Sequence, residues 1–303
     1  MTLRLGTRRS ALAMAQSGGV AATILATLGR DVELVEITTR GDVDQAALTQ
    51  IGGTGVFVTA LRDALYAGRI DFAVHSLKDL PTAPAEGLVI AAVPPREDAR
   101  DALCHPGGLT LGELPAGTRI GTGSPRRMAQ LAALGLGVVL VPIRGNVDSR
   151  LRKAIDGIEC DAVVLARAGL ARLDRLESVS ETIDPIQMLP APGQGALAIE
   201  CRAYSTELIE LLATLDDPES RACVDAERSL LAVLEAGCSA PVGALADVAD
   251  GEIYLRAVVL AVDGSDSMRQ SLTGPVDDPV GLGRRLGAIM LEDGAGALLG
   301  TAR

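Results

Sequence analysis

The feature that most constrains this chain is a regular alternation of short apolar runs with helical hydrophobic patterns over its first two thirds. In the first part, apolar runs at residues 3–6, 32–38 and 70–75 alternate with helical patterns at 10–28 and 54–67. Helices between buried strands imply crossover connections. The alternation therefore predicts a mostly parallel sheet with helices on its faces.

A second alternation begins after the Pro94-Pro95 pair, with predicted strands that end at Gly121 and cover residues 138–143 and 161–166. The tail is different because its predicted strands follow one another almost directly, which indicates a small α+β domain. No sequence repeat is visible at a fixed period, so the two α/β parts are alike in architecture only.

The chain has 303 residues, too many for one ordinary hydrophobic core, and we predict three domains. Residues 1–95 with 196–214 form domain 1 (α/β), residues 96–195 form domain 2 (α/β), and residues 215–303 form domain 3 (α+β). Ligands of α/β sheets bind beyond the carboxyl ends of strands. The loops after His75, Gly121 and Ile143, which end predicted strands, are therefore expected to share a cleft.

The net charge of −11 disfavours binding to nucleic acid or to an anionic membrane, and with 2% aromatic residues and no Trp, base stacking is an improbable activity. Residues 119–175 are an exception, because ten basic residues face five acidic ones there. Such a stretch is either a solvated surface or a cleft for an anionic small molecule.

The five cysteines form no Cys-x-x-Cys pair, so neither a zinc site nor a disulfide framework is indicated, and reduced thiols in a cytoplasm are the default. No uninterrupted apolar run reaches membrane-spanning length. Arg8-Arg9 precedes an Ala-rich stretch that resembles an export signal. Because Gln16, Ser17 and a Gly pair interrupt it, we interpret this stretch as the first helix of the fold.

Two polar segments follow predicted strands and carry candidate chemistry. H-S-L-K-D, from His75 to Asp79, presents a carboxylate on a rigid strand end where its pKa can be tuned; the alternative is a polar turn before a proline. G-T-G-S-P-R-R, from Gly121 to Arg127, points loop and helix N-terminal amides at an anion, unless it is an ordinary capped helix. It lacks the spacing of a nucleotide-binding P-loop.

Two further segments are weaker alone. R-G-N-V-D-S-R, from Arg144 to Arg150, also lies at a strand-to-helix junction. L-E-A-G-C-S-A-P-V-G places Cys238 in a loop, where a thiol is either accessible and reactive or, as free cysteines usually are, a small buried hydrophobe.

Taken together, these segments resemble the porphobilinogen deaminase family, and the resemblance covers nearly the whole chain in the right order. It also rests on G-T-R-R-S at Gly6 to Ser10, T-R-G-D at Thr39 to Asp42, A-V-H-S-L-K-D-L-P at Ala73 to Pro81 and L-P-A-P-G-Q-G-A-L-A-I-E-C-R at Leu189 to Arg202. The resemblance implies two periplasmic-binding-protein-like α/β domains with the active site between them, plus a small C-terminal α+β domain.

The family also implies an activity, the stepwise condensation of four porphobilinogen molecules, with release of ammonia, into the linear tetrapyrrole hydroxymethylbilane for porphyrin and haem biosynthesis. A dipyrromethane cofactor, joined to Cys238 by a thioether, would serve as the primer, and Asp79 would be the catalytic carboxylate. The growing chain bears about twelve negative charges, which would explain a positive cleft in an acidic protein. Residues matching cofactor- or substrate-binding positions are Arg8, Ser10, His75, Ser76, Lys78, Thr122, Ser124, Arg126, Arg127, Arg144, Asn146, Arg150, Arg172, Gln194 and Gly195, with His75 expected to orient its loop.

By the same resemblance, the enzyme is expected to be a cytoplasmic monomer that uses no metal, binds neither nucleic acid nor membrane, and passes its product to uroporphyrinogen-III synthase. One departure concerns the loop at Gly52 to Gly55, because Thr54 and Gln50 stand at or near positions where many family members have lysines. The main rival reading is a non-catalytic two-lobed protein that binds anions or other solutes, and fold alone does not separate the two.

Overall fold

The computed structural model describes residues 2–37, 55–236 and 240–300. The chain forms two compact units, Met1–Arg96 with Ala196–Arg221, and Glu97–Gly195 with Ala222–Arg303. The first unit, called here the first lobe, contains one five-stranded sheet. The second unit contains a five-stranded sheet, the second lobe, and a three-stranded sheet, the C-terminal domain.

The helices and strands of the described residues are, in chain order, β1 (Leu3–Thr7), α1 (Ala11–Leu28), β2 (Val32–Glu36), α2 (Gly55–Tyr66), β3 (Phe72–Ser76), β4 (Leu88–Ala92), β5 (Asp101–Cys104), β6 (Arg119–Thr122), α3 (Pro125–Ala133), β7 (Val139–Pro142), α4 (Val147–Ile155), β8 (Ala162–Ala166), α5 (Arg167–Arg172), β9 (Glu181–Thr182), β10 (Leu197–Arg202), α6 (Thr206–Ala213), α7 (Pro218–Val233), β11 (Val242–Ala249), β12 (Glu252–Leu260), β13 (Ser267–Pro275), α8 (Pro279–Glu292) and α9 (Ala295–Leu298).

The two lobes have the same sheet topology. The strand order is β2-β1-β3-β10-β4 in the first lobe and β7-β6-β8-β5-β9 in the second. In each sheet the first three strands are parallel, whereas the fourth strand is antiparallel to both of its neighbours. The sheets are therefore less parallel than predicted, because β10 in the first lobe and β5 in the second do not follow a helix of their own sheet. The short strands β4, β5 and β9 were not predicted.

A short structural repeat accompanies this shared topology. The backbone N–H of Arg4 and its guanidinium Nη2 donate to Asp71 at 2.8 and 2.7 Å, and Arg119 donates to Asp161 through the same two groups at 2.8 and 2.7 Å. Each arginine is the first residue of an Arg-x-Gly-Thr segment. Each aspartate immediately precedes a strand, β3 or β8, that pairs with the strand containing this segment, β1 or β6. The structure thus aligns two like segments that no fixed sequence period connects.

Helix α1 is long and apolar enough to span a membrane, with 18 residues and a mean hydropathy of 1.5. It packs on the first sheet instead, since Val20 and Ile24 are buried in one cluster with Leu5 and Phe72. This packing agrees with its interpretation as the first helix of the fold.

The C-terminal domain is an antiparallel meander of β11, β12 and β13 with apolar side chains that pack against α7 and α8. It is joined to the second lobe by a buried cluster in which Leu260 and Leu245 contact Ala129 and Leu189. The buried carboxylate of Glu227 adds a polar link, since it accepts hydrogen bonds from N–H groups on both sides of this junction. The two α/β sheets and the small α+β domain confirm the predicted fold class, while the division into three domains stays a prediction.

Candidate functional site

The turn that carries Asp79 begins where β3 ends in the middle of the first sheet. Leu77 is 1% exposed, and its N–H donates to the carbonyl of Ala196 at 3.0 Å. Residues Leu77–Asp79 form one turn of 3₁₀ helix, in which Lys78 is half-buried and Asp79 is exposed. The anchored leucine therefore holds the backbone while the aspartate side chain stays accessible.

His75 and Ser76, just before this turn, are held by side chains from other elements. The Nε2 atom of His75 lies 3.2 Å from a carboxylate oxygen of Glu200, which also binds Arg62 at 2.8 Å. The hydroxyl of Ser76 accepts a hydrogen bond from the side-chain amide of Gln16 at 2.8 Å. The orienting role predicted for His75 agrees with these contacts, whereas the sequence analysis did not find Glu200 and Arg62.

Glu200 remains ionised despite its burial. Burial alone would raise the pKa of this carboxyl, but its contact with His75 and its hydrogen bonds and ion pair with Arg62 outweigh burial and hold the pKa below its ordinary value. A charged carboxylate therefore lies next to the strand that leads to Asp79.

Arg8 and Ser10 lie at the same edge of the first sheet, because they follow β1, which is parallel to β3 and adjacent to it. The side chain of Ser10 caps α1 by accepting a hydrogen bond from the N–H of Ala13 at 3.3 Å. Arg8 is half-buried. The first lobe thus brings the predicted residues of its two segments to one edge.

The loop after β6 in the second lobe is tightly held. The hydroxyl of Thr122 accepts from the N–H of Ser124 at 3.3 Å, and the hydroxyl of Ser124 caps α3 by accepting from the N–H of Arg127 at 3.5 Å. Gly123 between them has no room for a side chain, since a Cβ atom would lie 2.6 Å from the carbonyl oxygen of Ile143. The loop therefore offers backbone rather than side-chain surface at this position.

Arg126 and Arg127, both predicted to bind substrate carboxylates, are bound to a carboxylate of the chain itself. Asp101 has no exposed surface and accepts from Arg126 at 2.7 Å, from Arg127 at 2.8 Å and from Gln194 at 2.8 Å. The side-chain amide of Gln194 also donates to the carbonyl of Ala99 at 2.7 Å. These three predicted site residues thus belong to one buried network, and their contacts with a ligand stay predictions.

The network keeps Asp101 charged. Burial would raise the pKa of this carboxyl, but the charges of Arg126 and Arg127 and the hydrogen bonds from Arg127 and Gln194 lower it far below its ordinary value. The sequence gives no signal that sets Asp101 apart, because five of the six residues 96–101 are charged.

Gly195 and Arg172 meet where the second lobe leads back to the first. Gly195 has a φ of +89°, and a Cβ atom there would lie 2.2 Å from the carbonyl oxygen of Glu97, so only glycine fits. Arg172 donates to the carbonyl of Gly195 at 2.6 Å. Burial lowers the pKa of Arg172, and the nearby charge of Glu97 opposes this shift.

Arg150 is the clearest candidate for a residue that binds an anion. Its Nε atom is buried and has no hydrogen-bond partner among the described residues, and its pKa is lowered by burial and by the charge of Arg127. Asn146 caps the same helix, α4, by accepting from the N–H of Ser149 at 2.8 Å, and Arg144 is exposed. A bound anion would satisfy the free Nε atom and offset the repulsion.

The cationic stretch at residues 119–175 divides into two groups. Several members form salt bridges within the chain, namely Arg119 with Asp161, Arg126 and Arg127 with Asp101, Lys153 with Glu159, Arg167 with Asp98 and Glu97, and Arg175 with Asp148. In the described part of the chain, Arg144, Arg150, Arg152 and Arg172 have no salt bridge to an acidic side chain. Three of these four, Arg144, Arg150 and Arg172, are predicted ligand-binding residues.

Cys238 lies outside the described residues, as do Thr54, Gln50 and the T-R-G-D segment. The other four cysteines are buried. Burial raises the pKa of Cys160, that of Cys104 to about 12 and that of Cys201 to about 11. Within residues 2–37, 55–236 and 240–300, no group of three or more His, Cys, Asp or Glu side chains is arranged to hold a metal ion.

Two family models match the chain. The model described as "Porphobilinogen deaminase, dipyromethane cofactor binding domain" matches residues 3–210, and the model described as "Porphobilinogen deaminase, C-terminal domain" matches residues 221–292. The chain belongs to the porphobilinogen deaminase family. As a family member it is a transferase of tetrapyrrole biosynthesis, and its larger matched region is a dipyrromethane-cofactor-binding domain, which confirms the predicted cofactor.

Curated relatives agree with this assignment to the porphobilinogen deaminase family. Porphobilinogen deaminase 1 of Streptomyces avermitilis is 61% identical over 316 residues, with 98% of this chain and 97% of the relative covered. Porphobilinogen deaminase of Mycobacterium tuberculosis is 53% identical over 310 residues, with 99% of each chain covered. Among solved structures, the second substrate binding domain of a putative amino acid ABC transporter from Streptococcus pneumoniae shares 13% identity, with a TM-score of 0.44 over 71% of this chain and 91% of that one.

The described residues fit the dipyrromethane cofactor of the porphobilinogen deaminases. This cofactor is an anion that carries several carboxylates, and the second lobe offers Arg150, a half-buried arginine whose Nε atom is buried and unpaired. Gly123 leaves backbone accessible beside Thr122 and Ser124. Arginine forks suit carboxylates well, so the donor set matches the charge and shape of the group.

Proposed function

We propose that this chain is a hydroxymethylbilane synthase, which joins four porphobilinogen molecules head to tail and releases ammonia at each addition. The observation that carries the proposal is an accessible carboxylate, Asp79, on an anchored strand end in a chain that matches the porphobilinogen deaminase family along nearly its whole length. The alternative, a non-catalytic protein that binds solutes, requires no carboxylate at this position and is not favoured.

Asp79 is assigned the central chemical role. Loss of ammonia from porphobilinogen leaves positive charge on its pyrrole nitrogen, and a fixed anion nearby stabilises that charge. In its acid form the same carboxyl group can give a proton to the departing amine. The carboxylate that this leaves can stabilise the cation and later accept the proton that formation of the new carbon–carbon bond releases. Because Leu77 anchors the turn, the carboxylate does not have to be ordered at each addition.

Three arginines without internal salt bridges, Arg144, Arg150 and Arg172, are assigned to the substrate and product carboxylates. Each porphobilinogen brings an acetate and a propionate group, so the negative charge grows with every addition. Arg144, Arg150 and Arg172 neutralise this charge, together with Arg8 and Lys78. Ser10, Thr122, Ser124 and Asn146 donate hydrogen bonds to the carboxylates. Four other predicted site residues have a structural role in the described contacts. Their hydrogen bonds lie within the second lobe and hold its elements together: Arg126, Arg127, Gln194 and Gly195.

Cys238 is assigned as the attachment point of the dipyrromethane cofactor through a thioether. When bound, the cofactor supplies the free pyrrole carbon to which the first substrate is joined. The other four cysteines are buried, and since the thiolate is the reactive form, thiols with a raised pKa are poor competitors for this attachment.

The proposal is tested by mass spectrometry of the intact protein. We expect the purified protein to be heavier than its sequence by one dipyrromethane, and we expect Cys238→Ser to lose this addition. The matched control, Cys223→Ala, removes a buried thiol and should keep it. An unmodified wild-type protein that also fails to convert porphobilinogen after incubation with it would refute the proposal.

The proposal includes the surroundings in which the enzyme works. We assign it to the cytoplasm as a monomer, with its product passed to uroporphyrinogen-III synthase, because hydroxymethylbilane is reactive and needs a consuming enzyme. Light scattering during size-exclusion chromatography checks the monomer, for which one chain of this sequence is the expected mass.

A further inference from the structure

Three charged or polar side chains from different elements meet inside the first lobe. Glu200 on β10 accepts from the Nε and Nη2 atoms of Arg62 on α2 at 3.1 and 2.8 Å, and its other oxygen lies 3.2 Å from Nε2 of His75 on β3. The side chains of Glu200, His75 and Arg62 are 2%, 4% and 17% exposed. One carboxylate thus joins a helix to the strand that leads into the Asp79 turn.

Strand pairing explains how these groups meet. β10 is antiparallel to β3, with Glu200 opposite Ala73 and Ala198 opposite His75. Glu200 and His75 are therefore diagonal neighbours on the same face of the sheet. Helix α2 covers this face, since Leu61 packs in one cluster with Ala73.

The same strand fixes the end of this helix as well. Arg202 lies two residues after Glu200 on β10 and donates to the carbonyls of Leu65 and Ile70 at 2.8 and 2.7 Å. Alternate residues of β10 thus hold the middle and the C-terminal end of α2. This helix follows directly on residues 38–54 of the chain.

Stability alone does not explain a buried trio of this kind. Well-packed apolar side chains of similar volume are often at least as stabilising as a buried ion pair. The rest of this helix–sheet contact is apolar, with Leu61, Leu65 and Ile70 fully or almost fully buried. A directional contact at one place in an apolar interface fixes geometry, because it is satisfied in only one arrangement of its partners.

We propose that Glu200 is a positioning residue for the condensation reaction: by holding His75 and Arg62 together, it fixes the strand end that carries Asp79 relative to helix α2. His75 lies four residues before Asp79, with Ser76 and Leu77 anchored between them. This inference rests on the proposed function. It assigns a role to Glu200 and Arg62, neither of which is among the residues proposed to bind substrate carboxylates.

The test compares steady-state kinetics of Glu200→Gln with those of the wild type, on protein whose dipyrromethane loading and folded fraction have been measured. Misplacement of a reacting group lowers the rate of the chemical step, so we expect kcat to fall about ten- to a hundredfold, while KM for porphobilinogen changes less than about threefold. Glu200→Asp, which keeps the charge, should recover a part of the lost kcat.

Glu181→Gln is the matched control. Glu181 is a half-buried carboxylate on the second lobe that accepts a hydrogen bond from the N–H of Leu111 at 2.6 Å. Its substitution should lower the melting temperature without changing kcat. A Glu200→Gln protein that behaves like this control, with reduced stability and an unchanged kcat, would overturn the inference.

Two further variants keep the inference testable if Glu200→Gln does not fold. Arg62→Gln alters the most exposed member of the trio and should lower kcat several-fold, whereas an unchanged kcat would count against the inference. The double variant His75→Asn/Arg62→Gln should lose less of its kcat than the product of the two single fold-losses, because both substitutions act through the same carboxylate. A wild-type protein that forms no hydroxymethylbilane refutes the proposed function, while an active wild type with unaffected variants refutes only the role of Glu200.

Discussion

Two aspartates at strand ends show how surroundings decide what a carboxylate can do. Asp79 is exposed at the carboxyl end of β3, whereas Asp101 at the start of β5 has no exposed surface and three side-chain donors. A carboxylate that meets a changing positive charge must be reachable, and one that is already neutralised is not available. Asp79 is therefore suited to chemistry and Asp101 to structure.

Substitution of Asp79 tests this division. Asp79→Asn keeps the size of the side chain but removes both its charge and its capacity to transfer a proton, so we expect kcat to fall by about 10²–10⁴-fold while the cofactor is still bound. The measurement is product formation in a single turnover. Asp156→Asn, at an exposed position after α4, should leave the rate unchanged, and near-normal turnover by Asp79→Asn would contradict the assigned role.

At the residue scale, local patterns were predictable and distant partners were not. H-S-L-K-D and G-T-G-S-P-R-R are contiguous, so the sequence analysis found them and placed them correctly at strand ends. Asp101 and Glu200 escaped because the arginines that bind them are 25 and 138 positions away along the chain. No periodicity in one sequence indicates which acidic residue will be buried against which base.

At the scale of the elements, long strands and helices were predicted well because hydrophobic periodicity persists along them. The short strands β4, β5 and β9 were missed, and each sheet has one strand antiparallel to both neighbours, β10 in the first lobe and β5 in the second. Strand β5 is also where α3 and the crossover before β10 are tied together, through Asp101. A strand of only four residues thus links α3 and the segment before β10 within the second lobe.

The pH dependence of stability should show this tie. The pKa of Asp101 is lower in the folded chain than in the unfolded one, so its contribution is complete above the unfolded pKa, near 4, and is lost as the pH falls below that value. We expect Asp101→Asn to lower the free energy of unfolding by about 3–5 kcal/mol at pH 7, because it leaves two buried arginines without their carboxylate.

The measurement is urea denaturation of the wild type and of Asp101→Asn at several pH values. The difference between their free energies of unfolding should become smaller below about pH 4. Asp247→Asn is a suitable control, since Asp247 is exposed in its pair with Arg256. This substitution should change the free energy of unfolding by less than about 1 kcal/mol. A difference that stays constant down to the lowest pH would contradict the assigned role of Asp101.

At the scale of the whole molecule, the second lobe and the C-terminal domain share part of their interior. Leu260 of β12 is 1% exposed and lies in one cluster with Ala129 of α3. The carboxylate of Glu227 in α7 accepts from the N–H of Gly193 at 2.6 Å and from that of Ala246 at 2.8 Å. Such shared burial makes separate unfolding costly, although the sequence predicts two domains of different class.

We therefore expect the second lobe and the C-terminal domain to unfold together. Leu260→Ala should lower the free energy of unfolding of this unit by about 2–5 kcal/mol, since it leaves a cavity in the shared cluster. Amide hydrogen exchange should then speed up in β6 as well as in β12. Leu212→Ala, in the core of the first lobe, serves as the comparison. Faster exchange confined to β11, β12 and β13 would show that the two parts unfold separately.

The pairing of Arg4 with Asp71 and of Arg119 with Asp161 allows the stability of the two sheets to be compared within one molecule. The same guanidinium and amide donors hold an aspartate at the same place in two sheets of the same topology, and the two arginine side chains are 38% and 36% exposed. The same substitution of each aspartate removes the same hydrogen bonds, although Asp71 is 14% exposed and also lies 3.7 Å from Arg202, whereas Asp161 is 37% exposed. The more buried place, at Asp71, should therefore give the larger loss of stability.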